Sequence, residues 1–255
     1  KIRSYGETVT KTSQNIIYKI YLIIKKLIAI FRAMFVPEAL IPFPSNNYAF
    51  ETYKKEQIRL SYENFKKYFP TTIFLSGRKI KLHALNKALE NDIDQKHLYL
   101  EFGVWYGLSI NKLAKLLKTN IYGFDSFVGL KEDWIGNHLE KGTFKLDRLP
   151  TVLSNVKLIK GWFQETLEDF LKEKKTKINF IHLDCDTYEA THYVLKTIKP
   201  YLVNNAIITF DDHHNHENWD TSEWKALNEV FSNDEFKYMS FAKDDTQATI
   251  QVKIK

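Results

Sequence analysis

The sequence holds one cysteine, Cys185, in 255 residues. That excludes an intramolecular disulfide, gives no zinc-finger spacing and fits a reducing compartment. It has no internal repeat and no low-complexity tract, so no repeat architecture is expected. It also has no uninterrupted apolar run of the roughly 20 residues that a membrane span needs. Its nearest candidate, in the first 36 residues, is broken by Lys25 and Lys26, and central charges in a span are costly. No signal peptide is visible, and the sequence begins at Lys1 without a methionine. The expected location is the cytoplasm, with contact to a membrane surface as the alternative. Finally, the main body has no excess of either charge. Of 37 basic and 31 acidic side chains, seven (Lys1, Arg3, Lys11, Lys19, Lys25, Lys26 and Arg32) and one (Glu7) fall in residues 1–36, which leaves 30 of each in the rest. A nucleic-acid enzyme spreads basic residues around its cleft, so no nucleic-acid partner is expected.

A hydrophobic content of 44% over this length is enough for one large domain, with or without an appendage. The appendage is the basic segment. From Asn15 to Val36, Ile16, Ile20, Ile23, Leu27, Phe31 and Met34 recur at helical spacing, with Lys19, Lys25, Lys26 and Arg32 on the opposite side. The apolar stripe of this amphipathic helix must be covered by its own domain, a partner subunit or a bilayer whose anionic lipids would meet the lysines. A homo-oligomer through this helix is the expectation. Pro37, Pro42 and Pro44 then break the helix, and Ile41 to Tyr48 is an exposed loop that can serve as lid or linker. Residues 1–50 are therefore read as helix and loop, and 51–255 as the main domain.

The main domain is organised around Leu98 to Gly107. A short apolar run ends in Glu101, Phe102 and Gly103, and Gly107 opens a helical segment from Leu108 to Leu117. Strand, tight turn and helix follow one another, with glycines that let a ligand approach the backbone where open α/β sheets bind their ligands. Asn120 to Asp125 is a second strand, whose terminal Asp125 stands where an acid can bond a ribose; a glycine-tolerant turn without ligand also fits. Helices are expected at Tyr53–Tyr68 and Ile80–Glu90. After the second strand come Val156–Lys160 (strand), Gln164–Leu171 (helix), Ile178–Leu183 (strand), Glu189–Ile198 (helix), Ala206–Phe210 (strand) and Ser222–Phe231 (helix). Phe236–Phe241 and Gln247–Ile254 could pair as a terminal hairpin. This alternation predicts an α/β domain with a mostly parallel sheet covered on both faces. The long connection from Ser126 to Pro150 is expected to wall a substrate pocket.

Two strands end in paired acids, Asp184-Cys185-Asp186 and Asp211-Asp212. Four carboxylates at one sheet edge repel each other unless a cation sits among them, and clustered oxygen ligands suit Mg²⁺ or another hard divalent ion. There are structural alternatives. Asp186-Thr187-Tyr188-Glu189 also matches a helix capping box, and Asp211 or Asp212 could cap the next segment. His213-His214-Asn215-His216 reads as a solvated loop, with a catalytic histidine as the alternative.

The runs E-F-G-V-W-Y-G at 101–107, G-F-D-S-F-V-G-L at 123–130, K-G-W-F-Q-E-T-L at 160–167, H-L-D-C-D-T-Y-E at 182–189 and F-D-D at 210–212 resemble, in order and spacing, the macrocin O-methyltransferase family. The resemblance covers residues 98–231. It implies a Rossmann-like class I methyltransferase fold with a seven-stranded, mostly parallel sheet whose last strand is antiparallel. S-adenosylmethionine would bind at the edge described above, and a sugar or glycan hydroxyl would be methylated with Mg²⁺. It further implies Glu101 and Gly103 beside the methionine part of the cofactor, with Gly107, which opens the helix of that turn, also in the cofactor-binding site. Asp125 and Ser126 would meet the ribose, and Trp162 and Phe163 would lie near the adenine, where both also fit as core aromatics. Asp184, Asp211 and Asp212 match the metal ligands, and Asp186 the general base. The sequence departs from the family after the paired acids, where three histidines stand near a position the family gives to tyrosine and glycine. A catechol-like acceptor, or a non-catalytic binding module retaining the fold, are the alternatives.

Overall fold

The computed structural model describes residues 48–134 and 139–254. Residues Glu51–Lys255 form one compact unit; the expected basic helix and most of the expected proline loop lie outside the described residues. Among the described residues no helix is long and apolar enough to cross a membrane.

The elements are α1 (Tyr48–Phe65), β1 (Ile73–Leu75), α2 (Gly77–Asn91), β2 (Leu98–Phe102), α3 (Leu108–Ala114), β3 (Ile121–Asp125), β4 (Val156–Lys160), α4 (Phe163–Lys174), β5 (Ile178–Leu183), α5 (Tyr188–Ile198), β6 (Leu202–Phe210), α6 (Glu223–Val230), β7 (Phe236–Ala242) and β8 (Ala248–Val252). The sheet order is β1-β7-β8-β6-β5-β2-β3-β4. β8 runs antiparallel to both its neighbours, and every other pairing is parallel. The seven expected strands are present with the last one antiparallel. Three-residue β1 is an eighth, added beside β7 at the edge.

Side-chain alternation sorts the core into two layers. Leu100, Phe102, Ile181 and Leu183 pack with α4, α5 and α6 on one face, while Tyr99 and Phe180 pack with Ala84, Leu85 and Ala88 of α2 and Ile110 and Leu113 of α3 on the other. β2 and β5 are buried along their whole length, which is why both read as near-continuous apolar runs. Two polar residues share the parity of Tyr99 and Phe180: Glu101 and His182 are fully buried and face the α2 side. Phe65, at the end of α1, closes the first layer. Its ring centroid lies between 5.4 and 5.8 Å from those of His213, His214, Trp219, Tyr238 and Phe241, each contact contributing roughly 0.5–1.5 kcal/mol at most.

Strand register positions the site. Phe102 lies opposite Phe124 and Leu183, and Leu183 opposite Phe210. Gly103, Asp125, Asp184 and Asp211 are thus each one residue beyond the same row. The ladder extends to them: Gly103 N donates to Phe124 O (2.9 Å), Asp184 N to Phe102 O (2.9 Å) and Asp211 N to Leu183 O (2.9 Å). β2 turns toward β3 on one side and has β5 on the other, so a crevice opens at the carboxyl ends where the strand order reverses.

Gly103 is the tightest point of that crevice. It has φ +84°, and a Cβ there would stand 1.9 Å from the carbonyl oxygen of Asp184. Neither backbone can give way without breaking the ladder. Gly103→Ala is expected to lower stability by about 3 kcal/mol or more, read as a drop in urea midpoint at unchanged slope. A midpoint within error of the unsubstituted chain would refute this.

Candidate active site

The turn after β2 is held by an acid from β3. Asp125 Oδ2 accepts from Val104 N (2.9 Å) and Trp105 N (2.8 Å), and Oδ1 accepts from Phe127 N (2.6 Å). These bonds keep Trp105 in the left-handed region at φ 45°. Ser126 is part of the following turn, accepting from Val128 N (3.2 Å) and donating to Gly129 O (3.3 Å). A cavity of about 640 Å³ opens here, and Gly103, Asp125, Ser126, Trp162 and Phe163 line it. Trp162 carries the Lys131 ammonium 5.6 Å over its ring, and Phe163 meets Phe102 edge-on at 5.4 Å, so Phe163 serves both core and wall. Gly129, Leu130 and Phe144 of the 126–150 connection also line the cavity, as expected for that long loop.

Two residues expected beside the cofactor stand behind the wall. Glu101 is fully buried, accepts from Ser109 Oγ (2.7 Å) and lies 3.0 Å from His182 Nδ1. Gly107, at φ 74°, precedes α3 and makes its entry from the turn. Neither is among the residues that line the cavity.

The acids cluster at one edge of this cavity, where Asp184 and Asp186 line it. One ligand atom each from Asp184, Asp186 and Asp212 lies within 4.8 Å of the others, as do those of His182, Asp184 and Asp211. Asp186 is not a helix cap: Thr187 holds the N-cap position of α5 without a side-chain bond, while Asp186 lies at φ 59° and lines the cavity with Asp184. Nor does Asp211 or Asp212 cap a helix, because the next turn starts at Trp219 with Asn218 before it. Asp212 is fixed instead through its amide, which donates to Glu223 Oε2 (2.9 Å), and through Thr246 Oγ1 at 3.3 Å.

The charges are unevenly matched. Asp211 has Lys81 Nζ at 2.5 Å, His182 Nε2 at 3.5 Å and Gln247 Nε2 at 3.3 Å. Burial works against ionisation of Asp211, but His182 and Lys81 outweigh it and hold the carboxyl well below the usual range. His182 is the converse: burial and Lys81 disfavour its charge, yet Glu101 and Asp211 push it up to about 9. Asp184, Asp186 and Asp212 form no ion pair among the described residues. Burial and mutual repulsion push Asp184 up to about 7, and Asp186 and Asp212 well above the carboxylate range. Glu223 is fully buried behind them, and its Oε1 has no hydrogen-bond partner. Crowded, underneutralised oxygen donors of this kind fit a hard divalent cation.

The first two residues of the histidine run are not solvated. His213 and His214 are buried against Phe65, with His213 Nε2 2.8 Å from Tyr238 Oη and His214 Nε2 3.1 Å from Gln247 O. Burial pushes His214 down to about 4 and keeps it neutral. The expectation of a polar loop fails because α1, far away in sequence, lays an aromatic ring over it.

Residues 100–213 match the family model described as "Methyltransferase domain". No curated protein matches the chain. Among solved structures, CalS11, a calicheamicin methyltransferase, superposes with a TM-score of 0.58 at 18% identity, covering 98% of this chain and 99% of that one. The apo form of CalS11, described as a TDP-rhamnose 3'-O-methyltransferase of calicheamicin biosynthesis, gives 0.51 at 20% identity, covering 82% and 94%. The sheet order and the domain matched over residues 100–213 give this chain the Rossmann-like class I methyltransferase fold, with the glycine turn anchored by Asp125 at its ligand-binding edge.

Proposed function

We propose that the protein is an O-methyltransferase that transfers the methyl group of S-adenosylmethionine to a hydroxyl of a sugar or glycan, as in the macrocin O-methyltransferase family that its motifs resemble. The observation that carries this is the clustering of Asp211 and Asp212 with Asp184 and Asp186, two acids that line one cavity with the Gly103 turn and Asp125. A pocket serving only a cofactor has no use for four acids. The sugar acceptor is supported by the description of CalS11 and by the chemistry of neighbouring hydroxyls, which chelate a hard cation.

Asp184, Asp211 and Asp212 would hold the divalent ion. Bound S-adenosylmethionine supplies an activated methyl group, and a bound Mg²⁺ supplies charge that lowers the pKa of an acceptor hydroxyl. Asp186 takes the hydroxyl proton. Its burial and the neighbouring carboxylates Asp184, Asp212 and Asp211 raise its proton affinity well above the usual carboxylate range, which strengthens it as a base. Asp125, Trp162 and Phe163 orient the donor from the opposite wall, so the chain contributes alignment and deprotonation.

Mass analysis of S-adenosylmethionine conversion against nucleotide sugars and surface glycans tests this. Turnover with at least one sugar is expected, falling to background in excess chelator and returning with Mg²⁺. Full turnover in chelator would remove the metal from the mechanism, and turnover with catechols alone would replace the acceptor class.

The proposal extends to assembly through residues 1–36, which lie outside the described residues. Their removal is expected to lower the mass measured by light scattering to that of a monomer. An unchanged mass would refute assembly through this segment, and salt-sensitive sedimentation with anionic liposomes would replace the partner subunit with a membrane surface.

A further inference from the structure

Of the carboxylates around the cavity, Asp211 alone is ion-paired with a lysine. Lys81 reaches it from α2, a helix that precedes the glycine turn and belongs to no motif of the site. Its Nζ is 2.5 Å from Asp211 Oδ1, both side chains are one-fifth exposed, and Lys81 itself lines the cavity. On the far side of Asp211, His182 stands at 3.5 Å with its other nitrogen committed to Glu101. Two cationic groups thus serve one acid, while Asp184, Asp186 and Asp212 share none within ion-pair distance.

An ammonium and a divalent cation cannot both sit against the same carboxylate oxygen at contact distance, because like charges there repel strongly in a partly desolvated site. His182 is locked between two acids below the cavity floor. Lys81 is held by one ion pair at the end of a flexible four-carbon stem and lines the cavity, so it is the group that can swing away. We propose that Lys81 is a tethered counter-cation of the active site, which holds Asp211 until a divalent ion replaces it there and releases its ammonium into the acceptor side of the cavity. The inference rests on the metal-dependent function proposed above.

The consequence is a metal affinity set by exchange. The ion must displace a charge that the chain itself supplies, so removing that charge tightens metal binding even though it leaves Asp211 without its strongest partner. Calorimetric titration of Mn²⁺ into the full chain, with neither cofactor nor acceptor, reads this directly. Lys81→Met is expected to lower the Kd for Mn²⁺ roughly tenfold or more. Lys81→Gln, which retains a hydrogen-bond donor and guards against a folding defect in the first variant, is expected to do the same. Lys81→Arg keeps the charge and is expected to stay within about threefold of the unsubstituted chain.

Circular dichroism and a thermal melt with and without Mn²⁺ accompany each titration, and the metal-induced rise in Tm is expected to be larger in Lys81→Met than in the unsubstituted chain. An unsubstituted chain that binds Mn²⁺ together with Lys81→Met and Lys81→Gln of equal or weaker affinity would overturn the exchange while leaving the metal site standing. Failure of all the variants and of the unsubstituted chain to bind would overturn both. Binding by Lys81→Met where the unsubstituted chain shows none supports the exchange in its strongest form.

Discussion

Asp186→Asn lowers the turnover number by roughly 10²- to 10⁴-fold, the range typical for loss of a general base, while the protein stays folded and still binds S-adenosylmethionine. The structure makes this substitution unusually clean. Asp186 sits at φ 59°, and asparagine is among the few residues that accept the left-handed region readily, so the backbone is not strained by the change. Thr187 occupies the N-cap of α5, so no capping bond is lost. Burial and the charges of Asp184, Asp212 and Asp211 all oppose ionisation of Asp186, and a neutral amide removes one partner from that repulsion. The melting temperature is therefore expected to hold or rise. Single-turnover rates and a thermal melt on the same preparation check both halves, and a rate within tenfold of the unsubstituted enzyme would take the base role away from Asp186.

Much of this site was legible before the structure, for a physical reason. Strands buried on both faces must be apolar, so Ile178–Leu183 appears with its true boundaries, while the edge strand Val156–Lys160, only partly buried, is bounded by its short β-rich run, and the residues after each strand fall at the ligand-binding edge. Three things were not legible. β1 has only three residues and two of them are exposed, so it carries neither length nor alternation. β6 starts at Leu202 rather than Ala206, because Asn204 and Asn205 interrupt the apolar run and Asn205 has φ 67° where the register with β5 shifts. The third is pairing between distant segments: nothing near Lys81 signals that its ammonium meets Asp211, and nothing near His213 signals that Phe65 covers it. Periodicity reports which face of an element is buried and is silent about what buries it.

Asp125→Ala is expected to cost cofactor affinity and stability together, which separates this structure from the simple expectation of a ribose ligand. As a ribose partner alone, Asp125 would contribute a charge-assisted hydrogen bond of roughly 1.5–3 kcal/mol to binding and nothing to folding. In the structure its carboxylate also accepts from Val104 N, Trp105 N and Phe127 N, so the alanine variant leaves three amides without partners and removes what holds Trp105 at φ 45°. The turn that carries Gly103 then relaxes, and the wall facing the cofactor changes shape. Calorimetry is expected to show S-adenosylmethionine or S-adenosylhomocysteine binding weakened by about 10³-fold, more than one bond accounts for, and urea unfolding a loss of about 2–3 kcal/mol. Asp125→Asn separates the two contributions. Its single carbonyl oxygen can still serve Val104 N and Trp105 N while its amide offers a donor in place of the carboxylate's second acceptor, so it should recover much of the stability and less of the affinity. A stable Asp125→Ala protein with weakened binding would leave the ribose contact alone standing, and an unstable one with full affinity would make Asp125 a scaffold residue of the turn.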